Sequence, residues 1–467
     1  MHDKANILAD NWEPIFNGVA QAKESIEEYV GRLAQRWNRV DLQDIDADIT
    51  EEEVMLAINR CKAGKTCGPD DLGNEWYKDN AERLVPILTQ LFNSCMKDGR
   101  TPHSFLEAFI FSVSKGGDRS NPLNYRPIAL LNTDYKIFTR ILAWRVRKHI
   151  SKLVHETQCG FVPGKTIHEV IDLFEAAKAV CREGKRLTKA QVLLLDFAKA
   201  YDSLDRDFLL TVLQKKGFPE RFCKIVATIH AGTTVKFMAN GQLSRALNIT
   251  SGIRQGCPLA PLLFILAVDL LYDEVDMDAG LVGIALDSKS PERQLKAAGY
   301  ADDTAIYIAD KSMQATAIAA VARFSAASGL QLNVGKSAAI SLGRGSADTE
   351  SPEDIDWAEN GDGVGEGHNE IAEIETTRYL GHIAGNVDTV KQAWTAAFKA
   401  LTIRLELAQV KTNTVQQRAA IAAAIIVPKL MFVARHAWPS EDLAKEANWR
   451  IRNFVWKASF ALPERAP

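Results

Sequence analysis

The chain has 467 residues and a mass of 51.6 kDa, which at ordinary domain sizes corresponds to roughly two to four structural units. Its 46% hydrophobic and 25% charged residues, with a mean hydropathy of -0.13, are typical of a globular protein and exclude collagen, coiled-coil arrays and low-complexity scaffolds. The net charge is -3, from 56 Lys and Arg against 59 Asp and Glu, and this average argues mildly against a nucleic-acid partner.

Membrane spans, leader peptides and structural metal clusters are not predicted. The most apolar windows fall short of the ~18 uninterrupted apolar residues of a spanning helix, because they contain Asp269 or Pro428 and Lys429. The N-terminal residues carry Asp3 and Asp10 and lack an apolar core, so the protein is expected to stay inside the cell, in the nucleus or the cytoplasm. Seven cysteines without a Cys-x-x-Cys pair predict buried, reduced thiols.

Charge is unevenly distributed along the chain. Residues 1–60 carry 13 acidic and 6 basic residues, whereas 112–152 carry 9 basic and 2 acidic ones and 391–467 carry 12 and 5. Residues 345–375 hold 11 acidic residues, no Lys or Arg and several glycines, which predicts a flexible acidic loop. Without that loop the net charge is +8, so the folded remainder can present a positive channel to phosphates. A solvated helix face is the alternative for either basic run alone.

Hydrophobic periodicity predicts a mostly helical chain with a few short strands. The first sharp signal is a capping box, Thr50-Glu51-Glu52-Glu53, followed by an apolar face. Further helices are predicted at about 80–97, 133–153, 167–182, 206–230, 260–276, 313–327, 391–409 and 413–436. Strands are predicted at 109–114, 192–195, 235–238 and 304–308.

Three aspartates stand where strands end or begin. A strand-forming run, Gln-Val-Leu-Leu-Leu, ends in Asp196, and small and apolar residues flank Asp302 and Asp303 in the pattern of a hairpin with two carboxylates at its turn. Adjacent acids repel each other in apolar surroundings, which favours a cation between them and a third acid. Ordinary alternatives exist, because Asp196 can equally cap a helix and Asp70-Asp71 shows the same acidic pair in a plain turn.

Eight blocks, two of which contain these aspartates, follow one another in a characteristic order. They are Lys-Ala-Gly-Lys-Thr-Cys-Gly-Pro-Asp at 62–70, Asn-Tyr-Arg-Pro-Ile-Ala-Leu-Leu-Asn at 124–132, Gln-Cys-Gly-Phe-Val-Pro-Gly at 158–164, Leu-Asp-Phe-Ala-Lys-Ala-Tyr-Asp at 195–202, Gly-Ile-Arg-Gln-Gly-Cys-Pro-Leu at 252–259, Tyr-Ala-Asp-Asp at 300–303, Gly-Leu-Gln-Leu-Asn at 329–333 with Lys336, and Arg-Tyr-Leu-Gly at 378–381. In this order they resemble the reverse transcriptases of non-LTR (LINE-type) retrotransposons, without the endonuclease domain of that family. The resemblance covers about residues 50–385.

The resemblance implies an α+β fold, a right-hand polymerase with fingers, palm and thumb, a small antiparallel palm sheet and many helices. The expected organisation is a helical, acidic N-terminal extension at 1–48, fingers and palm at 49–385 with the core reverse transcriptase domain at about 96–385, and a helical, basic, thumb-like region at 391–467. The implied activity is RNA-directed DNA polymerisation, with an RNA template, a DNA primer and deoxynucleoside triphosphates as partners.

The same resemblance implies a metal site. Asp196 and Asp302 would bridge two Mg²⁺ ions about 3.5–4 Å apart, and Asp303 would complete the carboxylate cluster. Mn²⁺ is expected to substitute, because both are hard cations that prefer oxygen ligands.

Further residues are assigned by the resemblance to the incoming nucleotide and the template. They are Lys115 and Arg126 for the triphosphate, Tyr201 as the steric gate against a ribose 2′-hydroxyl, Gln255 and Gly256 against the templating base and the nucleotide, and Lys336 as a proton donor to pyrophosphate.

Other functions stay open from the sequence alone. A catalytically inactive, nucleic-acid-binding remnant is the main alternative, because the chain shows neither an upstream endonuclease nor a Cys/His knuckle. An RNA-templated RNA polymerase shares the two-metal chemistry, but Tyr201 argues against the use of ribonucleotides. A glycosidase built on paired carboxylates explains none of the ordered blocks.

Overall fold

The computed structural model describes residues 2–18, 20–184, 187–343 and 370–457. Within those residues it is an α+β structure with several small sheets. The helices are α1 (His2–Phe16), α2 (Lys23–Ala34), α3 (Glu51–Asn59), α4 (Asn74–Asp79), α5 (Ala81–Asp98), α6 (Thr133–Leu153), α7 (Ile167–Glu183), α8 (Ala200–Ser203), α9 (Arg206–Lys215), α10 (Glu220–His230), α11 (Ala260–Met277), α12 (Gln314–Ser328), α13 (Val390–Lys411), α14 (Val415–Ile421), α15 (Val427–His436) and α16 (Glu441–Trp456). The strands are β1 (Glu107–Ser114), β2 (Tyr125–Leu130), β3 (Gln191–Leu195), β4 (Phe197–Ala198), β5 (Thr233–Ala239), β6 (Gln242–Leu243), β7 (Leu247–Ile249), β8 (Ile284–Ala285), β9 (Gln294–Leu295), β10 (Ala297–Tyr300), β11 (Asp303–Ile308), β12 (Gln331–Leu332), β13 (Ala338–Ser341), β14 (Thr376–Tyr379) and β15 (His382–Gly385).

A four-stranded antiparallel sheet, in the order β10-β11-β3-β13, lies between two hydrophobic clusters. Along β3, Leu193 and Leu195 pack into the larger cluster, and Val192 and Leu194 pack into the smaller one. Because successive side chains point to opposite faces and both faces are covered, β3 is a continuous apolar run. The register pairs Leu195 with Thr304, so the end of β3 meets the start of β11 at one edge of the sheet.

A second sheet has the order β2-β1-β5-β6, with β7 also paired to β5. Strands β1 and β2 are antiparallel, and Ser114 pairs with Tyr125 where their connection begins. Lys115 follows at once, and its N–H donates to the Asn124 carbonyl at 2.9 Å. The first part of the predicted basic segment at 112–152 therefore forms a hairpin that carries cations where its strands are connected, and the rest of the segment lies largely in α6.

Most predicted helices and strands are confirmed to within a few residues. At the start of α3 the Thr50 hydroxyl accepts from the Glu53 N–H at 3.3 Å, and the Glu53 carboxylate accepts from the Thr50 N–H at 3.1 Å, which is the predicted capping box. The single helix predicted at 206–230 was wrong. Gly217, at a φ of 84°, ends the first half, and Pro219 caps α10, so two helices replace one.

The N-terminal helices pack on the main body of the chain. Trp12 and Phe16 of α1, and Val30 and Leu33 of α2, are buried in the same cluster as the core of α6 and α11. The seven cysteines are free thiols, as predicted; six are buried and Cys67 is half-buried.

The predicted acidic loop at 345–375 falls largely outside the described residues, which omit 344–369. Its last residues run beside β13. The Ala339 N–H donates to the Ala372 carbonyl, and the Ile374 N–H donates to the Ala339 carbonyl, both at 2.9 Å. This end of the segment is therefore hydrogen-bonded to the antiparallel sheet.

The C-terminal helices α13 to α16 share their own hydrophobic cluster, which includes Trp394 and Phe454. The chain from α14 to α15 runs without a break through a π-helical turn, Ala422–Ile426. Pro428 and Lys429 were expected to keep this apolar segment short of a spanning helix, but Pro428 follows the π-helical turn closely and the helix continues through both residues. By length and composition alone, Val415–His436 is therefore apolar enough to cross a membrane, a test that core helices of other proteins also pass.

His230 makes the core sensitive to acid. Burial, together with the nearby Arg206 and Arg254, lowers the pKa of this imidazole to about 3, and its Nδ1 lies 2.8 Å from the Val226 carbonyl. The unfolded chain takes up this proton below about pH 6.5, whereas the folded chain does not, so stability is full above that pH and is lost progressively down to about pH 3. We expect His230 to lower the free energy of unfolding by about 2 kcal/mol between pH 7.5 and pH 5.

Urea titrations of the natural chain and of His230→Gln at several pH values test this expectation. The variant should show a pH dependence that is shallower by about one proton. Equal slopes for the two proteins would contradict the assignment.

Candidate active site

Three carboxylates meet at the edge where β3 ends and β11 begins. Asp196 follows Leu195 directly, Asp302 lies in the turn between β10 and β11, and Asp303 is the first residue of β11. Since Leu195 pairs with Thr304, the antiparallel register brings Asp196 opposite Asp303. All three side chains are exposed to solvent. The hairpin predicted from the sequence is confirmed, and Asp196 ends a strand and caps no helix.

The three carboxylates repel one another. Burial, followed by repulsion from Asp302 and Asp196, raises the pKa of Asp303 to about 6. Burial also raises the pKa of Asp302 and of Asp196, and Asp302 adds to the effect on Asp196. The three side chains reach solvent, so they are not enclosed in a core. Their pKa values rise because neighbouring protein atoms displace part of the surrounding water. A carboxylate surface of this kind favours bound cations.

Backbone contacts hold the two carboxylate segments in place. The Asp196 carbonyl accepts from the Asn333 N–H at 2.8 Å, and the Asp196 N–H donates to the Ser337 hydroxyl at 3.1 Å. The turn at 333–337 therefore wraps the end of β3. Lys336 lies in this turn, and its charge lowers the pKa of Asp196 against the effect of burial.

Gln158 clamps the turn that carries Asp302 and Asp303. The side-chain carbonyl of this buried residue accepts from the N–H groups of Gly160 and Ala301 at 2.8 and 3.0 Å, and its amide donates to the Ala301 carbonyl and the Tyr272 hydroxyl, both at 3.3 Å. Ala301 is held at a φ of 60°, which is unfavourable for a residue with a Cβ. A Cβ on Gly160 would lie 2.3 Å from the Ala301 nitrogen, so glycine is required for the approach.

Replacing Gln158 by Leu tests this clamp. Two buried N–H donors would lose their acceptor, which is expected to lower the free energy of unfolding by about 2–4 kcal/mol. Thermal unfolding is the measurement, with Gln214→Leu, on the exposed surface of α9, as the control. If the two variants melt alike, Gln158 does not hold the turn.

Basic side chains surround the carboxylates. Lys115 and Arg126 lie where strands β1 and β2 of the hairpin are connected and are exposed, and both oppose the rise in the pKa of Asp302. The pKa of Lys115 is itself lowered by burial and by Arg126. Lys199 is a cation that the sequence analysis missed. Its charge also acts on Asp196, and its ammonium lies 5.0 Å from the centre of the Trp12 ring.

The Tyr201 ring lies beside the carboxylates and is stacked on Phe264 of α11, with ring centres 4.2 Å apart and planes 13° from parallel. Burial, followed by the charge of Asp302, raises the pKa of the Tyr201 hydroxyl, so the phenol stays neutral. The ring is therefore fixed by packing and cannot turn away from Asp302 without losing that stack.

Gln255 and Gly256 contact the second sheet. The side-chain amide of Gln255 donates to the carboxylate of buried Asp202 at 2.8 Å. The backbone carbonyl of Gln255 accepts from the Ala129 N–H at 2.7 Å. Burial raises the pKa of Asp202 to about 7. Gly256 has a φ of 125°, and a Cβ there would lie 2.4 Å from the Ala129 carbonyl oxygen. Glycine is thus required where this loop passes β2.

The structure brings all nine predicted site residues into one region, while their catalytic roles stay predictions. Sequence reasoning missed Gln158, Lys199 and Asp202, although each stands inside a block that was recognised. Only their position inside a recognised block could have pointed to them, because a hydrogen bond to a residue far along the chain leaves no local sequence pattern.

The carboxylates fit a divalent cation by the chemistry of their donors. Within the described part of the chain, no three Asp, Glu, His or Cys side chains are arranged to enclose a metal ion. Mg²⁺ is commonly held by one or two carboxylates together with water and substrate phosphates, so a complete protein cage is not required. Asp196 and Asp302 supply two such carboxylates, and the repulsion at Asp303 favours a cation beside them.

Comparisons with known proteins agree with this geometry. A family profile described as reverse transcriptase (RNA-dependent DNA polymerase) matches residues 113–384, which is more than half of the chain. The transposon TX1 uncharacterized 149 kDa protein of Xenopus laevis is 26% identical over 88% of this chain and 30% of its own length. The retrovirus-related Pol polyprotein from the type-1 retrotransposable element R2 of Popillia japonica is 27% identical over 63% of this chain and 39% of its own.

The corresponding polyprotein from the type-2 element R2DM of Drosophila melanogaster is 26% identical over 63% of this chain and 26% of its own length. The chain therefore spans less than two fifths of each of these relatives. The predicted resemblance is confirmed: the chain belongs to the reverse transcriptase family, among the reverse transcriptase domain proteins of non-LTR retrotransposons.

Proposed function

We propose that this protein is an RNA-directed DNA polymerase of a non-LTR retroelement, which adds deoxynucleotides to a primer 3′-hydroxyl on an RNA template. The observation that carries the proposal is the meeting of Asp196, Asp302 and Asp303 at one sheet edge, under two exposed cations of the β1–β2 hairpin. Carboxylates that favour cations beside basic groups that favour phosphates are the arrangement that nucleotidyl transfer requires.

In this proposal Asp196 and Asp302 hold two Mg²⁺ ions, for which Mn²⁺ can substitute, and Asp303 supports them. When bound, the ions would activate the primer hydroxyl and offset charge on the leaving pyrophosphate. The protein's own groups orient the substrates. Lys115 and Arg126 bind the triphosphate oxygens, because an exposed ammonium and guanidinium beside Asp302 suit a phosphate chain.

The remaining predicted residues complete the nucleotide site. Lys336, in the turn that wraps Asp196, is placed in our proposal to give a proton to pyrophosphate. Tyr201 excludes a ribose 2′-hydroxyl, and Gln255 and Gly256 contact the templating base and the nucleotide. The assignment of Gln255 and Gly256 is supported by the close approach of their loop to β2, which requires a glycine at 256.

We also propose a right-hand arrangement of the chain. The antiparallel sheet β10-β11-β3-β13 is the palm, the β1–β2 hairpin belongs to the fingers, and helices α13 to α16 form the thumb, for which the sequence predicted 391–467. The boundaries predicted from the sequence are kept: an N-terminal extension at 1–48 and fingers and palm at 49–385. The separate hydrophobic cluster of α13 to α16 supports treating the thumb as its own unit.

A basic cluster formed by the thumb together with β14 supports a nucleic-acid partner. Partial burial, together with Arg404 of α13 and Arg378 of β14, lowers the pKa of Lys429 on α15, so these three cations lie near one another. We propose that they contact backbone phosphates of the template and primer.

Primer extension tests the proposal. Purified protein with Mg²⁺ should extend oligo(dT) annealed to poly(rA) when given dTTP. A well-folded protein that binds this substrate but adds nothing with either Mg²⁺ or Mn²⁺ would favour the alternative, a catalytically inactive nucleic-acid-binding remnant. Extension with UTP as readily as with dTTP would favour an RNA polymerase.

A further inference from the structure

Lys199 stands between two residues of the proposed nucleotide site, three residues after Asp196 and two before Tyr201. Its backbone has a φ of 49° and a ψ of 42°, a left-handed conformation that is unfavourable for a residue with a Cβ. Its carbonyl accepts from the Asp202 N–H at 2.8 Å, where the short helix α8 begins. A strained residue persists only where its surroundings hold it, and the side-chain contacts of Lys199 do so.

The Lys199 side chain reaches the connection between β1 and β2. Its ammonium donates to the backbone carbonyl of Leu123, which lies in that connection. The next residue, Asn124, accepts at its own carbonyl from the Lys115 N–H at 2.9 Å. The bond at Leu123 therefore restrains the segment that carries Lys115, one of the two cations proposed to bind the triphosphate.

Trp12 of α1 contacts the same part of the connection. Its ring nitrogen donates to the Pro122 carbonyl at 3.2 Å, and its ring centre lies 5.0 Å from the Lys199 ammonium, within the range of a cation–π interaction. Trp12 is fully buried, and the neighbouring Phe16 of α1 stacks on Phe237 of β5 with ring centres 6.1 Å apart. Two adjacent carbonyls of the connection are thus bound by two side chains that also contact each other.

The connection needs such a restraint because it carries like charges and little packing of its own. Residues 115–120 are exposed. Burial lowers the pKa of Lys115, and the charge of Arg126 lowers it further. The Lys115 side chain also lies within hydrogen-bonding reach of Lys199. Crowded cations repel one another, so before a nucleotide binds this repulsion favours an outward displacement of the connection, which the contacts of Lys199 and Trp12 oppose.

We propose that Lys199 and Trp12 are positioning residues, which form a latch with the carbonyls of Pro122 and Leu123 and hold the β1–β2 connection beside the carboxylates for the incoming nucleotide. Helix α1 is then a working part of the nucleotide site. The latch rests on the proposed function, because a nucleotide is what the connection is held to receive. If Lys199 instead bound the triphosphate directly, Trp12 would have no part in nucleotide binding.

The affinity for dTTP tests the latch without requiring nucleotide addition. The complex contains Mg²⁺, poly(rA) and an oligo(dT) primer that ends in a dideoxynucleotide, and isothermal titration calorimetry gives the Kd. Lys199→Met keeps the length of the side chain but removes its donor, and should bind dTTP about tenfold more weakly. Trp12→Leu should lose about as much. The double variant should stay within about twofold of Lys199→Met, whereas independent contacts would multiply to a loss of about a hundredfold.

Matched variants separate the latch from general packing and charge. Lys199→Arg retains a cation and a donor, and should stay within about threefold of the natural chain. Phe16→Leu removes another buried ring of α1, and Lys97→Met removes an exposed lysine at the end of α5; both should keep the affinity. Circular dichroism checks that each variant is folded. With an extendable primer, Lys199→Met should raise KM for dTTP about tenfold and change kcat by less than about threefold.

Four results overturn the latch: full affinity in Lys199→Met, full affinity in Trp12→Leu, losses that multiply in the double variant, or an equal loss in Phe16→Leu. The second would make Lys199 a direct phosphate contact, and the fourth would reduce α1 to general packing.

The same measurements distinguish the latch from the polymerase proposal. If the natural chain binds dTTP through the latch but adds no nucleotide with either Mg²⁺ or Mn²⁺, the latch stands and the polymerase proposal fails. If the natural chain extends primers while Lys199→Met binds dTTP equally well, only the latch fails. A natural chain that binds no dTTP overturns both.

Discussion

Replacing Asp302 by Asn is expected to lower the rate of deoxynucleotide addition by about a thousandfold or more. The reason is that the charge of this carboxylate acts on the whole site. It raises the pKa of both Asp303 and Asp196, and the charges of Lys115 and Arg126 lower the pKa of Asp302 itself. An amide keeps the shape of the side chain but cannot supply that charge. Single-turnover extension on a preformed primer–template complex is the measurement.

Stability separates this expectation from simple unfolding. Because Asp302→Asn relieves repulsion among three carboxylates, the metal-free variant should melt at the same temperature as the natural chain or higher. Asp98→Asn, at the exposed end of α5, is a matched control that should keep full activity. An Asp302→Asn protein with activity within tenfold of the natural chain would remove Asp302 from the catalytic site.

Replacing Tyr201 by Ala is expected to reduce discrimination against ribonucleotides by about a hundredfold. The ring is held in a stack with Phe264 at 4.2 Å, so in the natural chain it does not move aside for a 2′-hydroxyl. The measurement is the ratio of kcat/KM for dTTP and UTP on a poly(rA) template.

Tyr201→Phe is the control for the ring itself. The phenol stays neutral, and a gate made by bulk does not need the hydroxyl, so discrimination should be unchanged in this variant. If Tyr201→Phe admits ribonucleotides, the hydroxyl rather than the ring is responsible. If Tyr201→Ala still rejects ribonucleotides, the gate lies elsewhere.

The local sequence was sufficient to predict a feature where a short pattern of residues has only one structural outcome. Asp196, Asp302 and Asp303 were found because each adjoins a short apolar strand, and the capping box at Thr50 was found because both of its hydrogen bonds lie within four residues. The same reasoning failed where periodicity continued through a break. Apolar residues on both sides of Gly217 and Pro219 have the period of one helix, but the backbone does not.

Pro428 and Lys429 led to a different error. The helix at 413–436 was predicted correctly, but these two residues were taken to exclude a membrane-spanning length, whereas Val415–His436 is long and apolar enough to pass that test. The mean hydropathy of a whole window decides the test, and one proline and one lysine change that mean little.

By itself, the sequence determined the family, the three carboxylates and most of the helices and strands, because each depends on residue types at short or ordered spacing. Only the tertiary structure decided which distant groups act together. Gln158 holds a turn 143 residues away along the chain, and the Gln255 side chain donates to the carboxylate of Asp202, 53 residues before it. Such contacts arise when helices and strands pack against one another, so they cannot be read from the order of residues along the chain.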